Sequence, residues 1–140
     1  EDAELDTTPL FAWMVREIRP VTLVATGKMW ALACEAVRTL QEHGLEAGLI
    51  YAGCLKPLDE KAVERLAQGC SLLVTLEDGV VKGGFGASLA QAVTEKTKIQ
   101  TLHFGMPDAF VPQGTVEELW QMLGLTPKDV AQRILQETER

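Results

Sequence analysis

The stretch V-T-L-V-A-T-G at residues 21–27 decides the fold of this chain, because its first six residues form an apolar, β-branched run that stops at a glycine. A strand with one wet face alternates polar and apolar side chains. An unbroken run instead predicts a strand, here at 21–26, that is buried on both faces of a parallel sheet. Three further core strands are expected from similar runs, A-G-L-I-Y-A at 47–52, S-L-L-V-T-L at 71–76 and I-Q-T-L-H-F at 99–104.

A helical pattern follows each of these strands. Residues 29–43 carry apolar side chains at the three-and-four spacing of a helix packed by one face, and Gly44 occupies the C-cap position. Pro57 and Asp59 open a second helix that Gly69 stops. Alternating strands and helices predict βαβ units, so the fold class is α/β with a mainly parallel sheet covered on both faces. Helices are expected at 29–43, 57–68, 87–94, 116–123 and 127–137.

Length and composition indicate one soluble, cytoplasmic domain. The 140 residues suffice for a single core, and 46% hydrophobic with 24% charged residues is ordinary globular usage. A net charge of -7 disfavours binding to nucleic acid or to an anionic membrane surface. No apolar run approaches the roughly 20 residues that span a bilayer. The predicted organisation is a tail or linker stub at 1–9 and one domain at 10–140.

The cysteines predict neither a disulfide framework nor a zinc site. Cys34, Cys54 and Cys70 are odd in number and lack the close pairing of zinc ligands. We expect them to be small buried hydrophobes in a reducing compartment.

A crevice is expected where the strand order of such a sheet reverses. If the reversal falls between the strands at 21–26 and 71–76, Thr26-Gly27-Lys28 lies beside Glu77-Asp78 and the glycine-rich loop that ends at Gly86. The segment Lys82–Gly86 could cradle a phosphate before a helix. It matches neither common phosphate-loop pattern, however, and the two carboxylates would repel an anion. Tight turning or interface packing is the favoured interpretation.

The remaining candidate residues predict structural roles. Glu77 and Asp78 are adjacent, so in a strand their side chains face opposite ways and cannot act as a paired acid and base. His103 is interpreted as a hydrogen-bonded buried imidazole, and His43 as a favourable partner for a helix C-terminus. Core or interface packing is expected of the dispersed tryptophans, Trp13, Trp30 and Trp120. The residues alone thus predict a fold without an evident active site.

Five motifs together resemble the C-terminal, transketolase-type domain of the 1-deoxy-D-xylulose-5-phosphate synthase family. They are V-T-L-V-A-T-G at 21–27, K-P-L-D-E at 56–60, V-T-L-E-D at 74–78, G-G-F-G at 83–86 and G-M-P-D-A-F-V-P-Q-G at 105–114. The resemblance covers about residues 20–136. It implies a three-layer α/β/α domain with a mixed five-stranded sheet, in which Trp13–Ile18 supplies the one antiparallel strand.

The resemblance also implies a division of labour. The parent enzyme joins pyruvate and glyceraldehyde 3-phosphate with loss of CO2, for isoprenoid precursor synthesis, and holds thiamine diphosphate and Mg2+ in its first two domains. This segment is then expected to have no catalytic, cofactor-binding or metal-binding residues, to be inactive alone, and to support stability and homodimer assembly. Its expected partners are those N-terminal domains and a second protomer. The expected interface residues are Gly27, Lys28, Glu77, Asp78, Gly83, Gly84, Phe85, Gly86, Met106 and Phe110.

Two other functions remain open at this point. The chain could be a free-standing subunit of a split transketolase or a 2-oxoacid dehydrogenase β chain, acting with a partner. It could also be a regulatory module in which Lys28 and Lys82 gather an anionic ligand.

Overall fold

The computed structural model describes residues 13–27, 29–53, 58–78, 84–106 and 125–139, with only the backbone of Asp78 and Met106. In these ranges a five-stranded sheet with the order β1-β3-β2-β4-β5 lies between two helical layers. The elements in chain order are β1 Met14–Glu17, β2 Val21–Ala25, α1 Met29–Glu42, β3 Gly48–Tyr51, α2 Glu60–Gly69, β4 Leu72–Asp78, α3 Phe85–Thr94, β5 Gln100–Met106 and α4 Pro127–Thr138.

Strand β2 is the centre of the sheet. It pairs in parallel with β3 on one side and β4 on the other, and all five of its residues are buried. Leu23 belongs to the core under α1 and α4, whereas Val24 belongs to the core under α2 and α3. The four predicted parallel strands are therefore present, because β5 pairs in parallel with β4. The expectation that the strand at 99–104 is a core strand was wrong, since β5 lies at an edge of the sheet with Gln100 and Thr101 exposed. The antiparallel fifth strand is confirmed, since β1 runs antiparallel to β3 at the other edge.

Local capping explains where the helices begin and end. Asp59 accepts a hydrogen bond from the Ala62 N–H and starts α2. Gly44 follows α1 with φ of 87°, in the left-handed region that glycine tolerates. Its N–H donates to the Gln41 carbonyl, and the Leu45 N–H donates to the Leu40 carbonyl, each at 3.0 Å. The expected glycine C-cap of α1 is confirmed. The helix expected at 116–123 lies outside the described residues.

Three predicted boundaries were wrong, the ends of β4 and β5 and the start of α3. Strands β4 and β5 run on to Asp78 and Met106 because Glu77 pairs with Gly105 and Asp78 with Met106. Helix α3 begins at Phe85, two residues before the expected start. Glu77 and Phe85, expected in a loop, thus lie in regular structure.

The described cysteines differ in burial. Cys70 is buried and its thiol donates to the Leu72 carbonyl at 3.2 Å. Burial raises the pKa of the Cys70 thiol, which keeps it protonated and unreactive. Cys34 is half-buried in α1, and Cys54 lies outside the described residues. No helix in the described ranges is long and apolar enough to cross a membrane.

Backbone atoms of the turn after β1 lie very close to Gly48, the first residue of β3. A Cβ atom at this position would lie 2.5 Å from the Glu17 carbonyl oxygen and 2.8 Å from the Arg19 backbone nitrogen. It would also lie 2.7 Å from Oγ1 of the buried Thr22, which bonds to the Arg19 backbone. Only glycine fits where the turn after β1 meets β3.

We predict that Gly48→Ala lowers the free energy of unfolding by about 2–3 kcal/mol, because backbone atoms would have to shift. Gly69→Ala is the matched control, since a Cβ there makes only an ordinary 3.4 Å contact with Ile18. It should change stability by less than about 0.5 kcal/mol. Urea denaturation measures both. Equal effects of the two substitutions would contradict the steric explanation.

Candidate functional site

The strand order reverses between the parallel strands β2 and β4. The side of the sheet at which these strands end is its carboxyl edge. Ala25 pairs with Leu76, and the Thr26 N–H donates to the Leu76 carbonyl at 3.0 Å. The segment at Thr26 and Gly27 therefore leaves the sheet beside Glu77, as predicted. Of the expected interface residues, Lys28, Gly83 and Phe110 lie outside the described ranges.

The carboxylate of Glu77 faces the first turn of α3. Its side chain is buried, with 6% of the residue exposed, and its two oxygens lie 3.3 and 3.4 Å from the Gly86 N–H that donates to them. A negative charge at this position complements the helix dipole. The same charge would repel a phosphate, so the geometry favours a structural role for this helix start.

Beneath that turn lies a polar contact that joins β4 to β5. Thr75 and His103 are paired in register, and the Thr75 Oγ1 and His103 Nδ1 atoms share a hydrogen bond of 2.5 Å. A Cβ on Gly86 would lie 2.6 Å from that oxygen and 3.0 Å from that nitrogen. The last glycine of G-G-F-G is thus required by close packing of α3 on the sheet. Sequence reasoning missed Thr75, although its position two residues before Glu77 places both on one face.

His103 is hydrogen-bonded, as expected from the sequence, but it is half-buried where a buried imidazole was predicted. Burial lowers the pKa of its imidazole, because the charged form loses hydration. The ring is therefore neutral near pH 7. Within the described residues no group of three or more His, Cys, Asp or Glu side chains could hold a metal ion.

Two aromatic pairs lie at the same edge of the sheet. Trp13, just before β1, meets Phe85 edge-on with ring centroids 5.8 Å apart, and Trp30 meets Tyr51 likewise at 5.3 Å. Phe85 is only 7% exposed, so it packs into this chain's own core. Trp30 and Tyr51 are half-buried and keep apolar surface exposed; sequence reasoning did not select them for the site.

The other histidine lies far from this edge. His43 follows the last residue of α1, at the opposite end of the helix from Trp30. Its exposed ring places Nδ1 2.9 Å from the Thr39 carbonyl oxygen, which agrees with the predicted role at a helix C-terminus. Trp120 lies outside the described residues.

Comparison with known proteins assigns the family. The family model described as "Transketolase, C-terminal domain" matches residues 12–130, and the chain belongs to that family. Relatives named 1-deoxy-D-xylulose-5-phosphate synthase include those of Shouchella clausii, 37% identical over 136 residues, and Trichormus variabilis, 38% over 117 residues. These alignments cover 96% and 83% of this chain but 22% and 18% of the relatives, in their C-terminal part.

Solved structures share the fold. A chain described as "Split gene transketolase, inactive beta4 tetramer" superposes with a TM-score of 0.78 at 31% identity, over 92% of this chain and 43% of that one. Transketolase from Pichia stipitis superposes with a TM-score of 0.62 at 22% identity, over 90% of this chain and 18% of that one. The three-layer α/β/α fold implied by the resemblance is confirmed.

We predict that acidification destabilises the chain through His103. Its folded pKa lies below the ordinary 6.5, so the unfolded state binds a proton more readily. The stability contributed by the neutral ring is complete above pH 6.5 and is lost as the pH falls toward the folded value. Unfolding midpoints between pH 7.5 and about 5, where carboxylates stay largely ionised, should decrease less in His103→Gln than in the parent chain. A parent-like decrease in His103→Gln would refute the assignment.

Proposed function

We propose that this chain is the non-catalytic C-terminal domain of a 1-deoxy-D-xylulose-5-phosphate synthase, where it contributes to stability and dimer assembly. The observation that carries the proposal is the match to synthases at 32–39% identity over most of this chain and about a fifth of theirs. On this proposal the rest of the parent supplies the chemistry that joins pyruvate to glyceraldehyde 3-phosphate.

The carboxyl edge supports a scaffolding role. Its helix start at Gly86 faces the buried Glu77 carboxylate, which does not suit a diphosphate. The described residues also offer no cluster of ligands for Mg2+. The proposal therefore places thiamine diphosphate and its metal in the parent's other domains, and it gives this segment no catalytic group.

The docking face in this proposal is the carboxyl edge. The described side chains of Thr75, Glu77 and His103 bond within the chain there. The half-buried Trp30 and Tyr51 are aromatic residues of the kind enriched in interfaces. The proposed docking face consists of Trp30, Tyr51 and those expected interface residues whose backbone is described at this edge: Gly27, Glu77, Asp78, Gly84, Gly86 and Met106. Phe85 is buried, so its contribution to the docking face is indirect: it packs in the core and supports the first turn of α3.

We predict that the complete polypeptide containing this domain makes 1-deoxy-D-xylulose 5-phosphate from pyruvate and glyceraldehyde 3-phosphate when supplied with thiamine diphosphate and Mg2+. The 140-residue chain assayed alone should show no turnover, since it lacks the proposed catalytic domains. Product formation is followed by chromatography. Turnover by the chain alone, or none by the complete polypeptide, would overturn the proposal.

We predict that Trp30→Lys weakens dimerisation of the complete polypeptide by tenfold or more, because a charge would be buried among apolar groups. The matched control is Gln41→Lys, an exposed position at the far end of α1. It should leave dimerisation unchanged. Analytical ultracentrifugation gives the dissociation constants, and thermal unfolding of the isolated variants identifies any loss of fold. Unchanged dimerisation of a folded Trp30→Lys variant would remove this face from the interface.

A second candidate is a subunit of a split transketolase. The solved split-gene transketolase chain favours it, with 31% identity and a TM-score of 0.78. That chain is described as an inactive β4 tetramer. On this candidate function, the present chain would act only together with a partner chain. The complete polypeptide discriminates the two: activity by itself supports the synthase, whereas activity only after addition of a second chain supports the subunit.

A further inference from the structure

The first turn of α3 lacks an N-cap side chain of the kind that begins α2 and α4. Asp59 caps α2, and Thr126 and Asp129 form a reciprocal capping box at α4. At α3 the N-cap is Gly84, and no side chain bonds to the turn from that position. An uncapped helix start frays unless tertiary contacts hold it.

Besides the close packing of Gly86 on the sheet, two tertiary contacts among the described residues hold this turn. From the sheet, the buried Glu77 carboxylate accepts the Gly86 N–H. From the position just before β1, Trp13 packs its ring edge-on against Phe85 at an interplanar angle of 68°, and both residues are less than a tenth exposed. Such an aromatic pair stabilises beyond the area that it buries.

Trp13 makes the second contact from a position at the start of the sheet. Trp13 immediately precedes β1, whose first residue, Met14, pairs with Tyr51 at the carboxyl end of β3. The tryptophan therefore connects the segment that enters the sheet at β1 with a helix that is distant in sequence.

We infer that Trp13 is a positioning residue that couples the chain's entry into this domain to the first turn of α3. The consequence for assembly rests on the proposed function: seating of the preceding domains would hold Trp13 in place, and so order Gly84–Gly86 within the docking face. Trp13 thus acts through Phe85, without itself belonging to that face.

Amide hydrogen exchange on the 140-residue chain tests the coupling. In Trp13→Leu, exchange at Gly86, Ser88 and Leu89 should accelerate by about tenfold or more relative to Glu95, whose N–H bonds to Gln91 at the far end of α3. Trp13→Phe, which keeps an aromatic ring, should show a smaller change. Trp30→Leu is the matched control, because it removes a tryptophan from the other edge-on pair and should leave this ratio unchanged.

Each outcome is decisive. A uniform acceleration over the whole domain in Trp13→Leu, or an equal effect of Trp30→Leu, would reduce Trp13 to a general core residue and overturn the inference. If Trp13→Leu does not fold, the ratio in Trp13→Phe decides by the same criterion. Because the measurement needs no other domain, its failure is distinct from a failure of the synthase assignment.

Discussion

The fold depends on the complete burial of strand β2. All five residues of this strand are buried, so its backbone groups must find partners on both sides. Those partners are β3 and β4, and the chain crosses to opposite sides of β2 to supply them. The reversal that results places a switch point between β2 and β4, at the carboxyl ends of these parallel strands.

In many open α/β sheets a ligand binds at this edge, but here the chain's own groups occupy part of it. Glu77 faces the start of α3, and Thr75 and His103 bond to each other beneath it. Gly86 permits this closure, since any side chain would push the helix off the sheet. A helix held this tightly is better suited to present a fixed surface than to receive an anion.

Sequence reasoning located this edge but not the exposure of its residues. The switch point and the neighbourhood of Gly27 and Glu77 follow from strand order, which alternating elements predict well. The sequence placed Phe85 in a loop and among the interface residues. It is buried, because helix α3 starts two residues before the predicted position and the Phe85 ring packs against Trp13. Trp30 and Tyr51 are 21 positions apart and show no linear motif, so only their three-dimensional contact reveals the pair.

The sequence by itself determined the elements whose causes are local. Unbroken apolar runs specify buried strands, Asp59 starts a helix, and Gly44 ends one with a left-handed backbone. Tertiary structure alone decided the ends of β4 and β5, the need for glycine at Gly48 and Gly86, and which aromatic rings remain exposed. These features depend on distances between segments far apart in the chain, and such distances exist only once the sheet has formed.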